Sequence, residues 1–215
     1  MENEETKRVK SKYDRISLFY DLSELPIEAL FFKIWRQLAF SRLKKGRVLE
    51  VGAGTGKNFP YYTSEFKVLA TDISEKMLAK AEGRARKLKT AISIKRMDAQ
   101  KLELPDSTFD STLSTFVFCS VPDPIAGLKE LKRVLKNDGI AVFLEHVRPH
   151  GILGMLFDFL NYFSSTIMGV NINRDTVDNI RKAGFDIIED KDLFLEIIKL
   201  IVAKPKITLN VNKNT

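Results

Sequence analysis

The sequence is poor in the residues that build metal clusters and disulfide networks. Its 215 residues include one cysteine, Cys119, and two histidines, His146 and His150. A single cysteine excludes an internal disulfide framework and a cysteine-rich zinc site, and two histidines leave little material for a histidine cluster. We therefore expect no metal ion. A chain of this length buries enough apolar surface to fold without such a staple.

Long apolar runs are also missing. The first twelve residues are charged throughout and lack the apolar segment that is typical of a signal peptide. The longest apolar stretch, residues 152–170, is interrupted by Asp158, Asn161 and two serines, so no run reaches the roughly 18 residues of a transmembrane helix. We expect a cytoplasmic protein, with peripheral contact on the inner face of the membrane as an option.

Positive charge is in excess. The 35 Lys and Arg residues against 28 Asp and Glu residues give a formal net charge of +7. This charge favours anionic partners such as nucleic acid, an acidic lipid surface or a phosphorylated substrate, without choosing among them. The content of 44% hydrophobic and 29% charged residues is that of a globular chain and excludes a disordered or low-complexity one.

Short apolar runs alternate with helical patterns along the chain. This alternation predicts an α/β protein whose largely parallel sheet carries helices on both faces. Ligands of such sheets bind at the carboxyl ends of the strands. The predicted strands are residues 47–51, 67–72, 92–97, 109–118, 140–145, 185–190 and 194–203, and the predicted helices are residues 17–43, 74–89, 125–135 and 176–183.

A glycine-rich segment, EVGAGTGK at residues 50–57, follows the first predicted strand. Its spacing fits neither the dinucleotide fingerprint G-x-G-x-x-G nor the phosphate loop G-x-x-x-x-G-K-[ST]. It does fit acid-x-G-x-G-x-G, formed by Glu50, Gly52, Gly54 and Gly56. An acid at Glu50 would repel a pyrophosphate and suits a cationic or amine-bearing ligand. S-adenosylmethionine, with its ammonium and sulfonium groups, is such a ligand.

Acidic residues also end the second and third predicted strands. Asp72 closes the second strand, where a carboxylate can accept hydrogen bonds from both hydroxyls of a ribose. The third strand ends in Asp98, Ala99 and Gln100, which are well placed to accept an adenine amino group. Because the carboxyl ends of parallel strands meet at one edge of a sheet, these residues predict a nucleoside site there.

Together these motifs resemble the class I methyltransferases that use S-adenosylmethionine. The closer resemblance is to the branch that contains the ubiquinone/menaquinone-biosynthesis methyltransferases and bacterial phospholipid N-methyltransferases. It extends over roughly residues 13–203. The matching segments are YDRISLFYD at 13–21, VLEVGAGTG at 48–56, DIS at 72–74 with ML at 77–78, DAQ at 98–100, LPD at 104–106 with FD at 109–110, and residues 131–135 with Gly139.

The resemblance implies a three-layer, Rossmann-like fold with a seven-stranded, mostly parallel sheet of order 3-2-1-4-5-7-6. It also implies S-adenosylmethionine as cofactor and S-adenosylhomocysteine as product. The glycines can equally form a simple turn, and Ile73 and Met77 can equally be core residues. The implied contacts are Gly52, Gly54 and Gly56 with the methionine part, Asp72 with the ribose, Ile73 and Met77 with the adenine faces, Asp98 and Ala99 with its edge, Phe116 behind the transferred methyl, and Tyr13 and Tyr20 in a lid.

We predict three parts of the chain: a tail and helical lid at 1–43, a methyltransferase domain at 44–204, and a flexible tail at 205–215. A substrate-pocket insertion falls at about 147–175, where residues 151–163 are very apolar. Such a segment suits an amphipathic or lipid acceptor, or contact with a membrane to which the basic start of the chain is attracted. A helix that completes the core, or a dimer interface, is an equal alternative.

Few polar residues are candidates for contact with the acceptor. His146 follows the fifth strand and can take a proton from an ammonium or phenol, because a histidine pKa lies near neutrality. Arg174 can hold a phosphate, and Tyr20 can orient a choline-like head group. The alternatives are a structural histidine, a surface arginine and a tyrosine that packs within the lid.

These residues predict methyl transfer to a small amphipathic or lipid acceptor. We favour the amine of a phosphatidylethanolamine-type head group, with a quinone-precursor ring carbon or a hydrophobic thiol as alternatives. A non-catalytic S-adenosylmethionine-binding protein is the alternative of another class. Nucleic acid is disfavoured, because no [DNS]-P-P-[YFW] motif or Pro-Cys pair follows the fourth strand. A nicotinamide oxidoreductase is disfavoured by Glu50 and the failed glycine frames. The oligomeric state stays open.

Overall fold

The computed structural model describes residues 4–27, 31–167 and 173–206, and describes the backbone alone for residues 16–27, 153 and 162–167. Helices and strands alternate as the sequence predicts. The elements are α1 (Glu4–Ile27), α2 (Lys33–Phe40), β1 (Gly46–Val51), a 3-10 helix (Phe59–Tyr61), β2 (Phe66–Asp72), α3 (Glu75–Leu88), β3 (Ser93–Arg96), β4 (Phe109–Thr115), α4 (Pro124–Val134), β5 (Leu135–His146), α5 (Gly151–Ile167), α6 (Thr176–Lys182), β6 (Phe185–Phe194) and β7 (Ile198–Pro205).

The strands form one seven-stranded sheet of order β3-β2-β1-β4-β5-β7-β6, which confirms the predicted order. Strands β1 to β5 are parallel, and β7 runs antiparallel to both of its neighbours. The chain reverses its direction of travel across the sheet between β1 and β4. In open sheets of this kind, the crevice for a ligand lies at that switch point, beyond the carboxyl ends of the strands.

The central strands are buried on both faces because helices cover the sheet on each side. In β5, Phe143 packs into the core cluster on one face together with Leu128 of α4. Its neighbour Val142 packs on the other face with Trp35 and Phe40 of α2. This alternation follows from the two-residue repeat of a strand. The resulting rigid sheet holds the strand ends, and therefore the site residues, in place.

The N-terminal region differs from its prediction. We expected a polar tail at 1–12, but the chain is helical from Glu4, and Thr6 is buried. The predicted helix 17–43 is divided between α1 and α2. The polar composition of this segment predicted a tail. It does not show that α1 packs against a cavity, because that cavity is built from distant parts of the chain. The predicted tail 205–215 lies mostly outside the described residues.

The ends of three other strands also differ. β4 ends at Thr115, short of the predicted 118, because Phe116 adopts a left-handed conformation with φ 59°. β5 begins at Leu135 and includes the predicted turn at 136–139, where its pairing with β4 shifts register. β6 runs to Phe194, and the tight turn to β7 contains Leu195 and Glu196 with φ 48° and 57°.

Helix caps agree with the sequence. Ser74 caps α3 by accepting a hydrogen bond from the Met77 amide, and Asp175 caps α6 in the same way through Asp178. The apolar segment after β5 forms α5. Among the helices in the described part of the chain, none combines the length and the apolar character that crossing a membrane requires.

Candidate active site

A cavity opens at the carboxyl ends of β1, β2 and β4, and α1 lies along it. The space inside it, including the part that is open to solvent, is about 760 Å³. The lining residues come from α1, the ends of β2 and β4, the loops after β1, β2, β3 and β4, and the start of α3. They are Thr6, Val9, Tyr13, Gly52, Gly54, Thr71, Asp72, Ile73, Met77, Met97, Asp98, Ala99, Gln100, Thr115, Phe116, Val117, Ser120, Val121 and Pro122.

Most of the residues predicted to hold the cofactor lie in this cavity. Two of the predicted residues, Glu50 and Gly56, do not line it, and the side chain of Tyr20 is outside the described residues. His146 and Arg174, predicted for the acceptor, lie beside it. The predicted residues that line it are Tyr13, Gly52, Gly54, Asp72, Ile73, Met77, Asp98, Ala99, Gln100 and Phe116.

Gly52 and Gly54, in the loop after β1, have different roles. Both have positive φ, 62° at Gly52 and 55° at Gly54. A Cβ atom on Gly52 would lie 2.4 Å from the Val117 Cγ2 atom, so this glycine permits close packing. A Cβ atom on Gly54 would meet nothing within 4 Å. The backbone at Gly54 therefore faces open space in which a ligand can approach closely.

Asp72 joins this loop to α3. One carboxylate oxygen accepts a hydrogen bond from the Gly54 amide and the other from the Ser74 amide, each at 2.9 Å. Burial raises the pKa of Asp72, and the backbone hydrogen bonds oppose that rise. Each carboxylate oxygen has a second lone pair, so the group keeps acceptor capacity for hydroxyls in the cavity.

The loop after β3 is held by Gln100. The Gln100 amide nitrogen donates to the Thr6 hydroxyl at 3.1 Å, and its amide oxygen accepts from the Asp123 backbone at 2.9 Å. The Gln100 backbone donates to the Asp98 carboxylate at 2.9 Å. The amide thus connects α1 to the start of α4. We infer that it shapes this end of the cavity as well as lining it.

Glu50 lies behind the glycine loop instead of lining the cavity. Its two oxygens accept hydrogen bonds from the Asn58 amide at 2.8 Å and from the Tyr62 hydroxyl at 2.9 Å. Burial raises the pKa of Glu50 to about 7, against the effect of these hydrogen bonds and of the nearby Arg36 charge. Its predicted contact with the cofactor ammonium stays a prediction.

Arg36 and Asn58 complete this buried polar network, and sequence reasoning missed both. The Arg36 guanidinium donates to the Asn58 side-chain oxygen at 2.6 Å and to the Thr115 hydroxyl at 3.3 Å. Since Thr115 lines the cavity, the network supports that wall. A signal was present, because Arg36 stands between Trp35 and Ala39 on the apolar stripe of its helix.

Helix α1 reaches the cavity through Thr6, Val9 and Tyr13, of which the sequence predicted only Tyr13. Their spacing of three and four residues puts them on one face of the helix. The Asp14 carboxylate accepts a hydrogen bond from the Ser74 hydroxyl at 2.6 Å, next to the start of α3. A carboxylate is favourable near a helix N-terminus. These contacts hold α1 against the cavity.

Phe116 and His146 form the wall beyond β4 and β5. Phe116 lines the cavity, and its ring centroid lies 4.8 Å from the His146 imidazole. Glu145 supports the left-handed turn by accepting hydrogen bonds from the Val117 and Phe118 amides at 3.0 and 3.3 Å. The resemblance implies that Phe116 lies behind the transferred methyl group, and this role stays a prediction.

The expectation of a near-neutral histidine is wrong. Burial lowers the pKa of His146 to about 4, so the imidazole is neutral at physiological pH. It touches the cavity wall through Phe116 and does not line the cavity itself. A neutral imidazole can accept a hydrogen bond, but this environment penalises its protonated form.

Comparison with known proteins decides the family. A family model described as a methyltransferase domain matches residues 49–143, which include the glycine loop and the ends of β1 to β4. The phosphatidylethanolamine N-methyltransferase of Cereibacter sphaeroides is 35% identical over 61% of this chain and 66% of its own length. These findings support a class I S-adenosylmethionine-dependent methyltransferase.

Other relatives of this methyltransferase differ in their named substrates. The thiol S-methyltransferase TMT1B of Rattus norvegicus is 34% identical over 66% of the chain and 61% of its own length. The ubiquinone/menaquinone biosynthesis C-methyltransferase UbiE of Neisseria meningitidis is 28% identical over 81% of the chain and 74% of its own length. The chain thus spans just under two thirds of the first two relatives.

A solved structure shows the same fold. A methyltransferase of Thermotoga maritima, described as a possible histamine N-methyltransferase, superposes with a TM-score of 0.72 at 23% identity. The match covers 91% of this chain and 99% of the other. At this level of identity the likeness concerns the architecture.

The cavity of this methyltransferase fits S-adenosylmethionine, the cofactor of its family. The open space at Gly54 accommodates a group close to the backbone. Asp72 offers an acceptor at the end of β2, and Ile73 and Met77 offer apolar surface beside it. Residues that would hold the nucleoside and the methionine part therefore meet in one place.

Arg174 lies beside the far wall of the cavity. One guanidinium nitrogen donates to the Val121 carbonyl oxygen at 3.2 Å, and Val121 lines the cavity. Its buried Nε atom has no hydrogen-bond partner among the described residues. Burial lowers the pKa of Arg174, while the charges of Cys119, Asp123 and Glu5 oppose that effect. A cation thus stands where α1, α6 and the loop after β4 meet.

Proposed function

We propose that this methyltransferase acts on a small amphipathic or lipid acceptor, and that the acceptor is the amine of a phosphatidylethanolamine-type head group. Such a head group carries an amine and a phosphate a few atoms apart. The proposal therefore needs a cation that holds the phosphate beside the methyl-transfer site. Arg174 is the observation that carries it.

The buried Nε atom of Arg174 supports this assignment. A buried guanidinium donor without a partner among the described side chains costs free energy, and a phosphate oxygen would remove that cost. The Arg174 guanidinium is already oriented by the Val121 carbonyl oxygen. The Thr176 hydroxyl, two residues further on, donates to the His146 carbonyl oxygen at 3.3 Å, which ties this segment to the end of β5.

The residues of the chain bind, orient and exclude water. When bound, S-adenosylmethionine supplies a methyl group on a sulfonium, which a nucleophile displaces to leave S-adenosylhomocysteine. The chain then needs to align the acceptor with that group and keep water out. In this proposal α1, as the lid, closes the cavity over the cofactor, and the insertion at 147–175 bounds the acceptor side.

We assign His146 a positioning role through Phe116. Because its pKa is low, the imidazole is a poor base for taking a proton from an ammonium group. As a neutral group beside the Phe116 ring, it can set the angle of the ring. His146→Ala should slow turnover and leave cofactor affinity unchanged. Full activity of this variant would remove His146 from the mechanism.

The relatives support the chemistry more firmly than the acceptor. Their names include an amine, a thiol and a ring-carbon substrate. A quinone-precursor ring carbon and a hydrophobic thiol are therefore the alternatives within the same chemistry. Neither acceptor calls for a phosphate-binding cation, and Arg174 is the feature that favours the phospholipid.

The test is methyl transfer from labelled S-adenosylmethionine to three acceptors offered separately: phosphatidylethanolamine in mixed micelles, a polyprenyl quinone precursor and an alkyl thiol. We expect label in the phospholipid. Arg174→Gln should raise the KM for phosphatidylethanolamine about tenfold with cofactor affinity unchanged, through loss of a charge-assisted hydrogen bond. Arg181→Gln, at an exposed arginine of α6, is the matched control and should change neither value.

Three results would contradict the proposal. Label confined to the quinone precursor or the thiol would show that this compound, and not phosphatidylethanolamine, is the acceptor. Transfer to phosphatidylethanolamine that does not depend on Arg174 would refute the proposed contact between Arg174 and the phosphate. Cofactor binding without transfer to any acceptor would favour a non-catalytic S-adenosylmethionine-binding protein.

A further inference from the structure

Helix α5 exposes an apolar stripe to solvent. Ile152, Met155 and Leu156 are 87%, 69% and 50% exposed, and Phe159 and Leu160 are also exposed. The intervals of three and four residues place these side chains on one face of the helix. An exposed apolar stripe of this length marks an interaction surface in a soluble domain.

The stripe continues onto neighbouring elements. The amide of His150, just before α5, donates to the Glu196 carboxylate in the turn between β6 and β7 at 3.3 Å. Phe194 and Leu195 in that turn are exposed, and the Phe194 ring lies 6.2 Å from the ring of the exposed Phe31. We call the set Ile152, Met155, Leu156, Phe159, Leu160, Phe194, Leu195 and Phe31 the apolar edge surface.

The apolar edge surface lies at the same edge of the sheet as the mouth of the cavity. α5 follows the carboxyl end of β5, and the turn at Leu195 joins β7 opposite His146 at that same end. A partner that covers this surface therefore meets the opening through which an acceptor enters. This arrangement suits a partner that itself contains the acceptor.

The acidic groups within this region are already engaged. The Asp158 carboxylate accepts hydrogen bonds from the Arg148 guanidinium at 2.9 and 2.6 Å. The Asp192 carboxylate accepts from the Phe194 and Glu196 amides. The ion pair between Asp158 and Arg148 lowers the local repulsion toward an anionic partner.

Helix α1 adds positive charge at the same edge. Arg8, Lys12 and Arg15 recur at intervals of four and three residues, so they share one face of α1. They are close enough that the Arg8 and Arg15 charges help burial to lower the pKa of Lys12. Basic side chains at the same edge of the sheet as an apolar stripe are complementary to an anionic lipid surface. Two copies of this chain would each carry a formal net charge of +7, which disfavours self-association.

We propose that the apolar edge surface docks on the surface of an anionic bilayer, with the cavity mouth toward the lipid. The inference rests on the proposed function, because docking would deliver a membrane lipid to the acceptor side of the cavity. The apolar side chains would enter the boundary between head groups and acyl chains, and the α1 cations would face the anionic head groups.

The experiment is flotation of the full-length protein with vesicles that contain no phosphatidylethanolamine. One set is phosphatidylcholine, and the other is phosphatidylcholine with phosphatidylglycerol. We expect binding to the anionic vesicles that weakens as salt is raised. The variant Ile152→Ser/Met155→Ser/Leu156→Ser should bind at least about tenfold more weakly, since it removes three apolar groups from the interface.

A matched control removes exposed apolar side chains elsewhere. Leu88 at the end of α3 and Ile188 in β6 are exposed and lie away from the carboxyl edge. Leu88→Ser/Ile188→Ser should leave vesicle binding unchanged. Circular dichroism and cofactor affinity of both variants show whether the fold is kept, since neither set lines the cavity.

The outcomes separate docking from the proposed function. Equal binding by the wild type and the α5 variant, or no binding to anionic vesicles, would overturn the docking surface. Light scattering that shows a wild-type dimer and a monomeric α5 variant would assign the surface to a second copy and overturn it too. Binding that depends on the stripe, with no transfer to phosphatidylethanolamine in micelles, would uphold docking and refute the acceptor.

Discussion

The hydroxyl groups of Tyr13 and Ser120 lie 2.6 Å apart and share a hydrogen bond. Tyr13 belongs to α1, Ser120 belongs to the loop after β4, and both residues line the cavity. A contact between elements 107 residues apart in sequence thus joins the N-terminal helix to the wall of the site. We expect the cofactor to enter and leave past this contact.

Removing this hydrogen bond should loosen the closed cavity. We expect Tyr13→Phe to weaken binding of S-adenosylhomocysteine by about 0.5–1.5 kcal/mol, mainly through faster release, because one hydrogen bond that holds α1 is lost. Titration calorimetry and stopped-flow release measure the two effects. Tyr61→Phe is the control, since Tyr61 lies outside the cavity. Unchanged release from the Tyr13 variant would show that this bond does not limit opening.

An alanine at position 54 should separate binding from folding. A Cβ atom there meets no protein atom within 4 Å, so Gly54→Ala should cost only about 1 kcal/mol of stability for its φ of 55°. The same methyl group occupies space that the cofactor needs, and we expect at least tenfold weaker binding. Gly83→Ala, in the middle of α3, is the control and should stabilise the protein by about 0.5–1 kcal/mol. Normal affinity in the Gly54 variant would move the cofactor away from this loop.

The carboxylate of Asp72 should matter more for the cofactor than for the fold. Asp72→Asn keeps one oxygen acceptor but removes the charge, and we expect a loss of about 2 kcal/mol in cofactor affinity. Asp110 accepts a hydrogen bond from the Arg47 amide at the opposite edge of the sheet. Asp110→Asn should therefore lower the melting temperature without an effect on affinity. Equal affinities for the wild type and the Asp72 variant would refute the ribose contact.

Glu145 should make stability depend on pH. Burial raises its pKa from an ordinary 4.5 to about 7, so the folded protein holds a proton that the unfolded chain has lost between these values. Its contribution to the free energy of unfolding is complete below pH 4.5 and is lost as pH rises through 7.

We expect the stability difference between the wild type and Glu145→Gln to change by about 1 kcal/mol per pH unit in that window. Urea unfolding at several pH values measures it, and Glu103→Gln, at an exposed carboxyl, is the control. We compare the free energy of unfolding of the wild type with that of the variant because His146, with a folded pKa of about 4, changes the stability of both with pH in the opposite sense. A constant difference across the window would mean that Glu145 is charged in the folded protein.

Much of the fold follows from local sequence patterns. The apolar runs at 47–51 and 67–72 predicted β1 and β2 nearly to the residue, because strands buried on both faces need continuous apolar segments. The predicted helices at 74–89 and 176–183 begin within one residue of α3 and α6, where Ser74 and Asp175 are the caps, because capping depends on neighbours within one turn. The start of α1 was missed, since its helix is stabilised by contacts such as Thr6 with Gln100, 94 residues away in sequence.

The sequence by itself determined which residues meet at the site wherever the meeting depends on strand order. Gly54, Asp72 and Asp98 each follow a parallel strand, and the carboxyl ends of such strands share an edge. Only the tertiary structure decided that Glu50 is turned toward Asn58 and Tyr62, and that His146 has a pKa of about 4. Side-chain direction and desolvation depend on what distant segments bring into contact, and no local pattern records them.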